Sequence, residues 1–166
     1  VCTEENCRRM IESCHTYGVP IVVDPKGTDW TKYAYADYIT PNLKEINQVL
    51  AEPVHNEDRA VEVAAHYVMN RFNIRNVIVT RSEEGLSLIR DDENVHIPTK
   101  AQEVFDVSGA GDTVIAVFAM GLAGGMSPAD SAYMANLAAS VVVAKLGTYA
   151  VSREELMAVL KGEAEK

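Results

Sequence analysis

Apolar positions along this chain alternate between a helical spacing and short all-aliphatic runs. Residues 3–17 carry apolar side chains at helical spacing and Gly18 follows, so the pattern predicts a first helix that ends there. The run 21–23 is aliphatic throughout, which is typical of a buried strand. The same alternation continues along the chain, with helices predicted over 56–72, 109–124 and 127–147 and strands over 36–40, 76–80, 86–89 and 95–98. This alternation predicts an α/β fold with a parallel sheet flanked by helices.

One connection between predicted strands has the features of a tight turn. Residues 80–85 join two predicted strands without an intervening helix, and the segment ends in Gly85. We expect a hairpin-like turn here, in which the glycine relieves backbone strain.

Composition and charge narrow the possible partners. The chain has 166 residues, of which 48% are hydrophobic, so it can bury the core of one domain. Its formal net charge of -9 argues against nucleic acid or an anionic membrane surface as a partner. No apolar run is long enough to span a bilayer, so we expect the chain neither to cross a membrane nor to bind its surface.

The cysteines bear on the compartment. Cys2, Cys7 and Cys14 lie close together, are odd in number and have no CxxC spacing. A metal site with His15 is one interpretation. Buried, reduced thiols on a helix are the interpretation that we prefer, and they predict a cytoplasmic protein.

A polar loop rich in glycine runs directly into an apolar helical segment. Residues 106–112 read Asp-Val-Ser-Gly-Ala-Gly-Asp. The first N–H groups of a helix lack internal partners and lie at the positive end of its dipole, and Gly109 and Gly111 would let a phosphate approach them. Asp112 beside such an anion site is suited to accept a proton from a hydroxyl that attacks the phosphate. The alternative is a tight turn in which Ser108 caps the helix.

Polar residues also follow two of the predicted strands. In open parallel sheets, ligands gather at the carboxyl ends of strands, so Asp24 and Lys26 are candidates for ligand contact. A solvated Asp-Pro turn is the alternative. Asn42 and Glu45 lie one turn apart where a helix begins, so both side chains can point at one place. The alternative for this pair is a helix cap.

The string in residues 106–112 resembles the C-terminal signature of the PfkB/ribokinase family of sugar kinases. Further segments are similar to the D-glycero-β-D-manno-heptose 7-phosphate kinase branch of that family, namely residues 23–29, 40–45, 79–82 and 145–148. The resemblance runs from about residue 11 to residue 160. It implies a ribokinase-like, Rossmann-like fold, in which residues 1–166 form the C-terminal, nucleotide-binding portion of a domain and lack its N-terminal sugar-binding half.

The resemblance implies a reaction and its catalytic groups. The γ-phosphate of ATP would pass to the anomeric hydroxyl of heptose 7-phosphate, with Asp112 as the base. The N–H groups of Gly109, Ala110 and Gly111 would stabilise charge on the transferring phosphoryl group. Mg²⁺ would neutralise the phosphates.

The resemblance also implies cofactor contacts. Asn42 and Glu45 would help to place Mg²⁺ through water. Asp106 would help to hold a monovalent cation such as K⁺ or to fix the loop, and the alternative is that it only caps the turn. Asn136 would lie beside the adenine, unless it bonds neighbouring backbone. The family commonly has glycine at the position of Ser82. The serine side chain limits how closely a phosphate can approach the backbone there. The nucleotide-binding positions are then Lys26, Thr80, Ser82, Gly85, Gly111 and Asn136.

The resemblance leaves two alternatives open. The chain is either a kinase portion or a nucleotide-binding or assembly module without chemistry, and within the kinases another sugar such as ribose or fructose is possible. We expect the chain alone to phosphorylate sugar poorly or not at all, because no segment resembles the family's glycine-rich sugar motif. We also expect a homo-oligomer, because an apolar sheet edge would be exposed.

Overall fold

The helices and strands occur in the order that the sequence predicts. The computed structural model describes residues 2–100 and 104–164. The helices are α1 (Glu4–Thr16), α2 (Leu43–Val49), α3 (Asp58–Phe72), α4 (Ala110–Ala123), α5 (Pro128–Val143) and α6 (Arg153–Ala164). The strands are β1 (Val22–Val23), β2 (Tyr38–Ile39), β3 (Val77–Thr80), β4 (Leu86–Ile89) and β5 (Asn94–Ile97). Two short 3₁₀ turns lie at Thr31–Tyr33 and Ser82–Glu84.

The chain forms two compact units. The first contains the residues up to Arg81 together with Leu86–His96, and the second contains Ser82–Gly85 together with the residues from Ile97 onward.

The sheet is mixed, with the strand order β1-β2-β3-β4-β5. β1, β2 and β3 pair in parallel, and β3 pairs with β4 in antiparallel register, Val77 opposite Ile89 and Thr80 opposite Leu86. The hairpin-like turn is therefore confirmed, and the expectation of a parallel sheet holds for three strands only. β2 is buried along its whole length, as is typical of a parallel strand between two neighbours, whereas β1 is half-buried.

The core of the first unit lies between the sheet and α3. Trp30 and Phe72 are buried with ring centroids 5.8 Å apart, and the Trp30 indole N–H donates to the Gly27 carbonyl at 2.8 Å. Each such buried side chain contributes about 1.5–3 kcal/mol. α1 begins as predicted, because the Thr3 hydroxyl accepts a hydrogen bond from the Asn6 amide and caps it.

A buried arginine anchors the end of β3. Arg81 is 2% exposed, and its guanidinium donates to Asp58 at 2.5 Å, to the Ser87 hydroxyl at 2.9 Å and to the Asn56 side-chain oxygen at 2.8 Å. A buried cation is tolerated only when its donors are satisfied, as they are here. The network ties α3 to β4 and fixes the chain next to Thr80.

The second unit is built on the crossing of α4 and α5. Gly121 lies against Ser131, and a Cβ at Gly121 would stand 2.6 Å from the Ser131 hydroxyl, so glycine sets how closely the helices approach. α5 begins as predicted, with Ser127 as N-cap and Pro128 in the first turn. Its predicted end at Gly147 is wrong, because the helix stops at Val143 and the chain continues as a loop.

The cysteines are free, but Cys2 is exposed and Cys7 and Cys14 are only half-buried, so the prediction of buried thiols is wrong. None of the helices within the described ranges has the length and hydrophobicity that crossing a bilayer requires.

Candidate functional site

The first group of candidate residues gathers at the carboxyl ends of β1 and β2, as open-sheet geometry predicts. We call Asp24, Lys26, Asn42 and Glu45 the acidic cluster. The Lys26 ammonium lies 3.0 Å from an Asp24 carboxylate oxygen and 2.9 Å from a Glu45 carboxylate oxygen. Hydrogen bonding to Glu45, and then to Asp24, raises the pKa of Lys26. Lys26 is therefore held between two carboxylates, which sequence alone did not predict.

Asn42 and Glu45 form a capping box at the start of α2. The Asn42 side chain accepts from the Glu45 amide at 2.8 Å, and the Glu45 carboxylate accepts from the Asn42 amide at 2.9 Å. The capping alternative is thus what this structure contains. It fixes both side chains at the strand ends and occupies part of their hydrogen-bonding capacity.

The acidic cluster fits a hydrated cation better than a directly coordinated one. Each Glu45 oxygen already accepts one hydrogen bond, from Lys26 or from Asn42, and retains a lone pair. Among residues 2–100 and 104–164, no three His, Cys, Asp or Glu side chains converge in a direct metal cage. Mg²⁺ retains several waters in most protein sites, so contact through water suits these residues.

Thr80 belongs to the same edge of the sheet. It ends β3, its amide donates to the Pro41 carbonyl at 3.0 Å, and it forms a parallel bridge with Asn42. The ends of three neighbouring strands therefore present Asp24, Asn42 and Thr80 in one unit.

The second group lies where α4 begins, and we call residues 106–112 the anion loop. Gly109 is the N-cap, with φ of 80° in the left-handed region that favours glycine. The Ser108 capping alternative is therefore wrong, because no side chain caps this helix. Within the described chain, the amides of Gly109, Gly111 and Asp112 have no protein acceptor. They remain available to an anion at the positive end of the helix dipole.

Ala110 departs from the expected set of donors. Its amide donates to the Val107 carbonyl at 3.2 Å, which closes the turn. The Asp112 amide is free of such a bond in the described residues and replaces Ala110 among the available donors.

The Asp112 carboxylate is exposed at the start of α4. It lies in the first turn of α4 with an exposed side chain, and its carboxylate accepts no hydrogen bond from any described residue. Its position is electrostatically favourable in the absence of a second anion, because carboxylates stabilise helix N-termini.

Asp106 holds the anion loop in place. One carboxylate oxygen accepts from the Ser108 amide at 2.8 Å, and the other accepts from the Gly147 amide at 3.1 Å. Hydrogen bonding from Ser108, followed by that from Gly147, lowers the pKa of Asp106. The loop-fixing role is thus visible in the contacts, and the monovalent cation stays a prediction.

Backbone geometry explains the residue types at positions 82 and 85. Ser82 has φ of 53°, a left-handed conformation that glycine adopts more readily, so a glycine would be less strained at this position. Gly85 has φ of 83°, and a Cβ there would overlap the Ile97 carbonyl and lie 2.5 Å from the Thr99 nitrogen. Gly85 is therefore required for packing, and its contact with a nucleotide stays a prediction.

Asn136 is buried on α5 and satisfied by the protein. It is 6% exposed, and its side-chain amide donates to the Pro98 carbonyl at 2.9 Å. The partner is backbone, as the alternative proposed, but 38 residues away. Its role beside an adenine stays a prediction.

Sequence reasoning missed the partner of Asp106. Gly147 lies 41 positions further along the chain, so no local pattern indicates the contact. The helix that follows Gly147 has a local sequence signal instead, because Ser152 and Glu155 have the spacing of a capping box and form one.

Comparison with known proteins gives consistent results. The chain is 48% identical over 146 residues to the bifunctional protein HldE of Trichlorobacter lovleyi, a match that covers 87% of this chain and 30% of the relative. It is 46% identical over 159 residues to the HldE of Sodalis glossinidius, covering 95% and 33%. The chain thus spans about a third of the length of the curated relatives that it matches.

Solved structures agree on the fold. Ribokinase from Thermotoga maritima superposes with a TM-score of 0.79 at 30% identity, over 92% of this chain and 52% of that one. Arabidopsis thaliana ribokinase, complexed with ribose and ATP, gives 0.85 at 23% identity over 96% and 53%. The fold is therefore ribokinase-like. A family model described as pfkB family carbohydrate kinase matches residues 1–155. With the anion loop, the strand-end residues and these matches together, the chain belongs to the pfkB family of carbohydrate kinases.

Proposed function

We propose that this chain supplies nucleotide-binding and catalytic groups for ATP-dependent phosphorylation of heptose 7-phosphate at its anomeric hydroxyl. Membership of a kinase family implies the use of ATP. The choice of sugar phosphate rests on similarity to the HldE proteins. The observation that carries the proposal is the anion loop, where unpaired amides and an exposed carboxylate lie in the first turn of one helix.

In the proposed reaction, Asp112 removes the proton from the attacking hydroxyl. The hydroxyl oxygen bonds to the γ-phosphorus while the bond from that phosphorus to the β,γ-bridging oxygen breaks, and ADP leaves with the bond's electrons. The Gly109 and Gly111 amides donate to oxygens of the transferring group. Each preorganised donor of this kind contributes about 2.7–4 kcal/mol in well-studied enzymes.

Magnesium and potassium are part of the proposal. The acidic cluster would contact hydrated Mg²⁺ through the free lone pairs of Glu45, with Asn42 holding that carboxylate in place. The cation supplies charge neutralisation for the phosphates. Asp106 would contact K⁺ with lone pairs left over from its two amide bonds. The further proposed nucleotide neighbours are Lys26, Thr80, Ser82, Gly85 and Asn136.

The sugar pocket is proposed to require residues beyond these 166, because no segment resembles the family's sugar motif.

We further propose that the chain self-associates in solution. β1 has no second partner strand among the described residues, and nearby Tyr17 and Val19 are 79% and 53% exposed. Light scattering at increasing concentration tests this, and a monomer throughout would contradict it.

Free cysteines support a proposed cytoplasmic location.

The first test is calorimetric titration of the chain with a non-hydrolysable ATP analogue and Mg²⁺. We expect saturable binding by the wild type. Asp112→Asn should bind the analogue equally or more tightly, because it removes a negative charge beside the phosphates. Absence of binding at millimolar analogue would overturn the proposal for this chain.

A second test isolates the base. The matched segment is exchanged into the Trichlorobacter lovleyi relative, and turnover of heptose 7-phosphate is followed with and without Asp112→Asn. Loss of a general base costs about 10²–10⁴-fold in rate. A rate retained within a few-fold would exclude Asp112 as the base, while turnover by the 166-residue chain alone would contradict the proposed need for further residues.

A further inference from the structure

We propose that Tyr149 and Glu155 are positioning residues that set the geometry of the anion loop without touching the nucleotide. The inference rests on the proposed function of that loop. It concerns the segment between α5 and α6, residues 144–152, which we call the bracing loop.

The residue just before the bracing loop, Val143, bonds the start of the anion loop. The Val143 carbonyl accepts hydrogen bonds from the amides of Phe105, at 2.8 Å, and Asp106, at 3.3 Å. Four residues later, the Gly147 amide donates to the Asp106 carboxylate at 3.1 Å. The Thr148 methyl carbon lies 3.4 Å from where a Cβ on Gly109 would be. The bracing loop therefore supports the anion loop at its first residue, Asp106, and lies beside its middle residue, Gly109.

The other side of the bracing loop is held by one carboxylate. The Tyr149 hydroxyl donates to the two Glu155 oxygens, at 3.0 and 3.1 Å, and the Ser152 amide donates to the same carboxylate at 3.0 Å. The Lys145 ammonium lies 3.4 Å from Glu155 and 5.2 Å from the centre of the Tyr149 ring. These contacts join both ends of the bracing loop to the first turn of α6.

Electrostatics agree with this arrangement. The Ser152 amide, followed by the Tyr149 hydroxyl, lowers the pKa of Glu155 to about 2, so the carboxylate stays ionised at neutral pH. A charged acceptor makes the Tyr149 hydrogen bond stronger than a neutral one would be.

Packing does not replace these hydrogen bonds. The bracing loop has no regular secondary structure, and Leu146 within it is 82% exposed. Because its apolar side chain contributes little burial, the loop depends on its polar contacts for a fixed conformation. Losing the Tyr149 hydroxyl should therefore loosen Gly147, and through Asp106 the anion loop.

The test compares Tyr149→Phe with Ser127→Ala. Tyr149→Phe removes only the hydroxyl that bonds Glu155. Ser127→Ala removes the hydroxyl that accepts from the Asp130 amide at 3.1 Å and caps α5, and it leaves the Glu155 contacts in place, so it controls for a general loss of stability. The backbone order parameters of Gly109 and Gly111 are measured by nitrogen-15 relaxation, and the ATP analogue with Mg²⁺ is titrated calorimetrically.

We expect Tyr149→Phe to lower both order parameters and to raise the Kd for the analogue roughly three- to tenfold. This change corresponds to part of the free energy that a charge-assisted hydrogen bond contributes. Ser127→Ala should change neither by more than about a third of that. Unchanged order parameters in Tyr149→Phe, or equal changes in both variants, would overturn the inference. Failure of the wild type to bind the analogue would overturn the proposed function, while the order parameters would still decide the inference.

Discussion

Replacing Gly111 with alanine should stabilise the chain and weaken nucleotide binding at the same time. Gly111 is the second residue of α4, and a Cβ at this position would meet no atom within 4 Å. Alanine is therefore sterically allowed, and it is a better helix former than glycine by about 0.8–1 kcal/mol in a helix interior. In the first turn, where fewer helical hydrogen bonds depend on the residue, we expect about 0.5 kcal/mol.

The same methyl group lies where an anion would bind. A helical Cβ tilts toward the helix N-terminus, which at position 111 is the space that the free amides face. A phosphate held by those amides would be displaced outward by the methyl. We expect the Kd for the ATP analogue with Mg²⁺ to rise at least about tenfold, equivalent to ~1.4 kcal/mol.

Two assays and a matched control decide the outcome. Gly162 in α6 is also helical and open, with no atom within 4 Å of the position that an alanine methyl would take, so Gly162→Ala should stabilise without affecting binding. A gain of ~0.5 kcal/mol raises the midpoint of thermal unfolding, followed by circular dichroism, by about 1–2 °C. If Gly111→Ala gained stability and bound the analogue like the wild type, the amides would not be the anion site. If Gly111→Ala lost stability, the observation that a Cβ at this position meets no neighbouring atom would be contradicted.

Three further predictions concern stability. Gly85→Ala should destabilise by more than about 2 kcal/mol in urea unfolding, because it adds left-handed strain to an overlap with the Ile97 carbonyl; a loss below ~0.5 kcal/mol would contradict that packing. Ser131→Ala should be neutral or stabilising by up to about 1 kcal/mol, because the Ser131 hydroxyl is buried without a partner among the described residues; a clear loss would mean that the hydroxyl is satisfied. The lowered pKa of Glu155 means that its contribution is present above pH 4.5 and lost as pH falls toward about 2. Glu155→Gln should therefore flatten the acid limb of unfolding free energy against pH, and an unchanged limb would refute the shift.

Local patterns determined much of the fold and the location of candidate chemistry. Helical spacing predicted α1, and Ser127-Pro128 predicted the start of α5, because caps and periodicity are properties of a few neighbouring residues. The spacing of Asn42 and Glu45 likewise predicted that the two side chains meet. The anion loop was recognised from consecutive residues, because all its polar groups lie in one loop and in the first turn of the helix that follows it.

What the sequence left open depended on contacts between distant residues. Lys26 lies between Asp24 and Glu45 because two strands end side by side, and Glu45 is 19 positions away. Asn136 reaches the Pro98 carbonyl and Asp106 reaches Gly147 only after the helices have packed. The predicted end of α5 at Gly147 was wrong for the same reason, since Gly147 bonds Asp106 of the anion loop instead of continuing the helix.

The sequence by itself determined that a helix N-terminus with glycines and an aspartate would be present in an α/β chain, because helix periodicity and dipoles are local. Only the tertiary structure decided which amides stay free for an anion, with Ala110 used by Val107 and Asp112 available in its place. It also decided which groups hold that loop, because hydrogen bonds between segments far apart in the chain exist only once those segments have been brought together by packing.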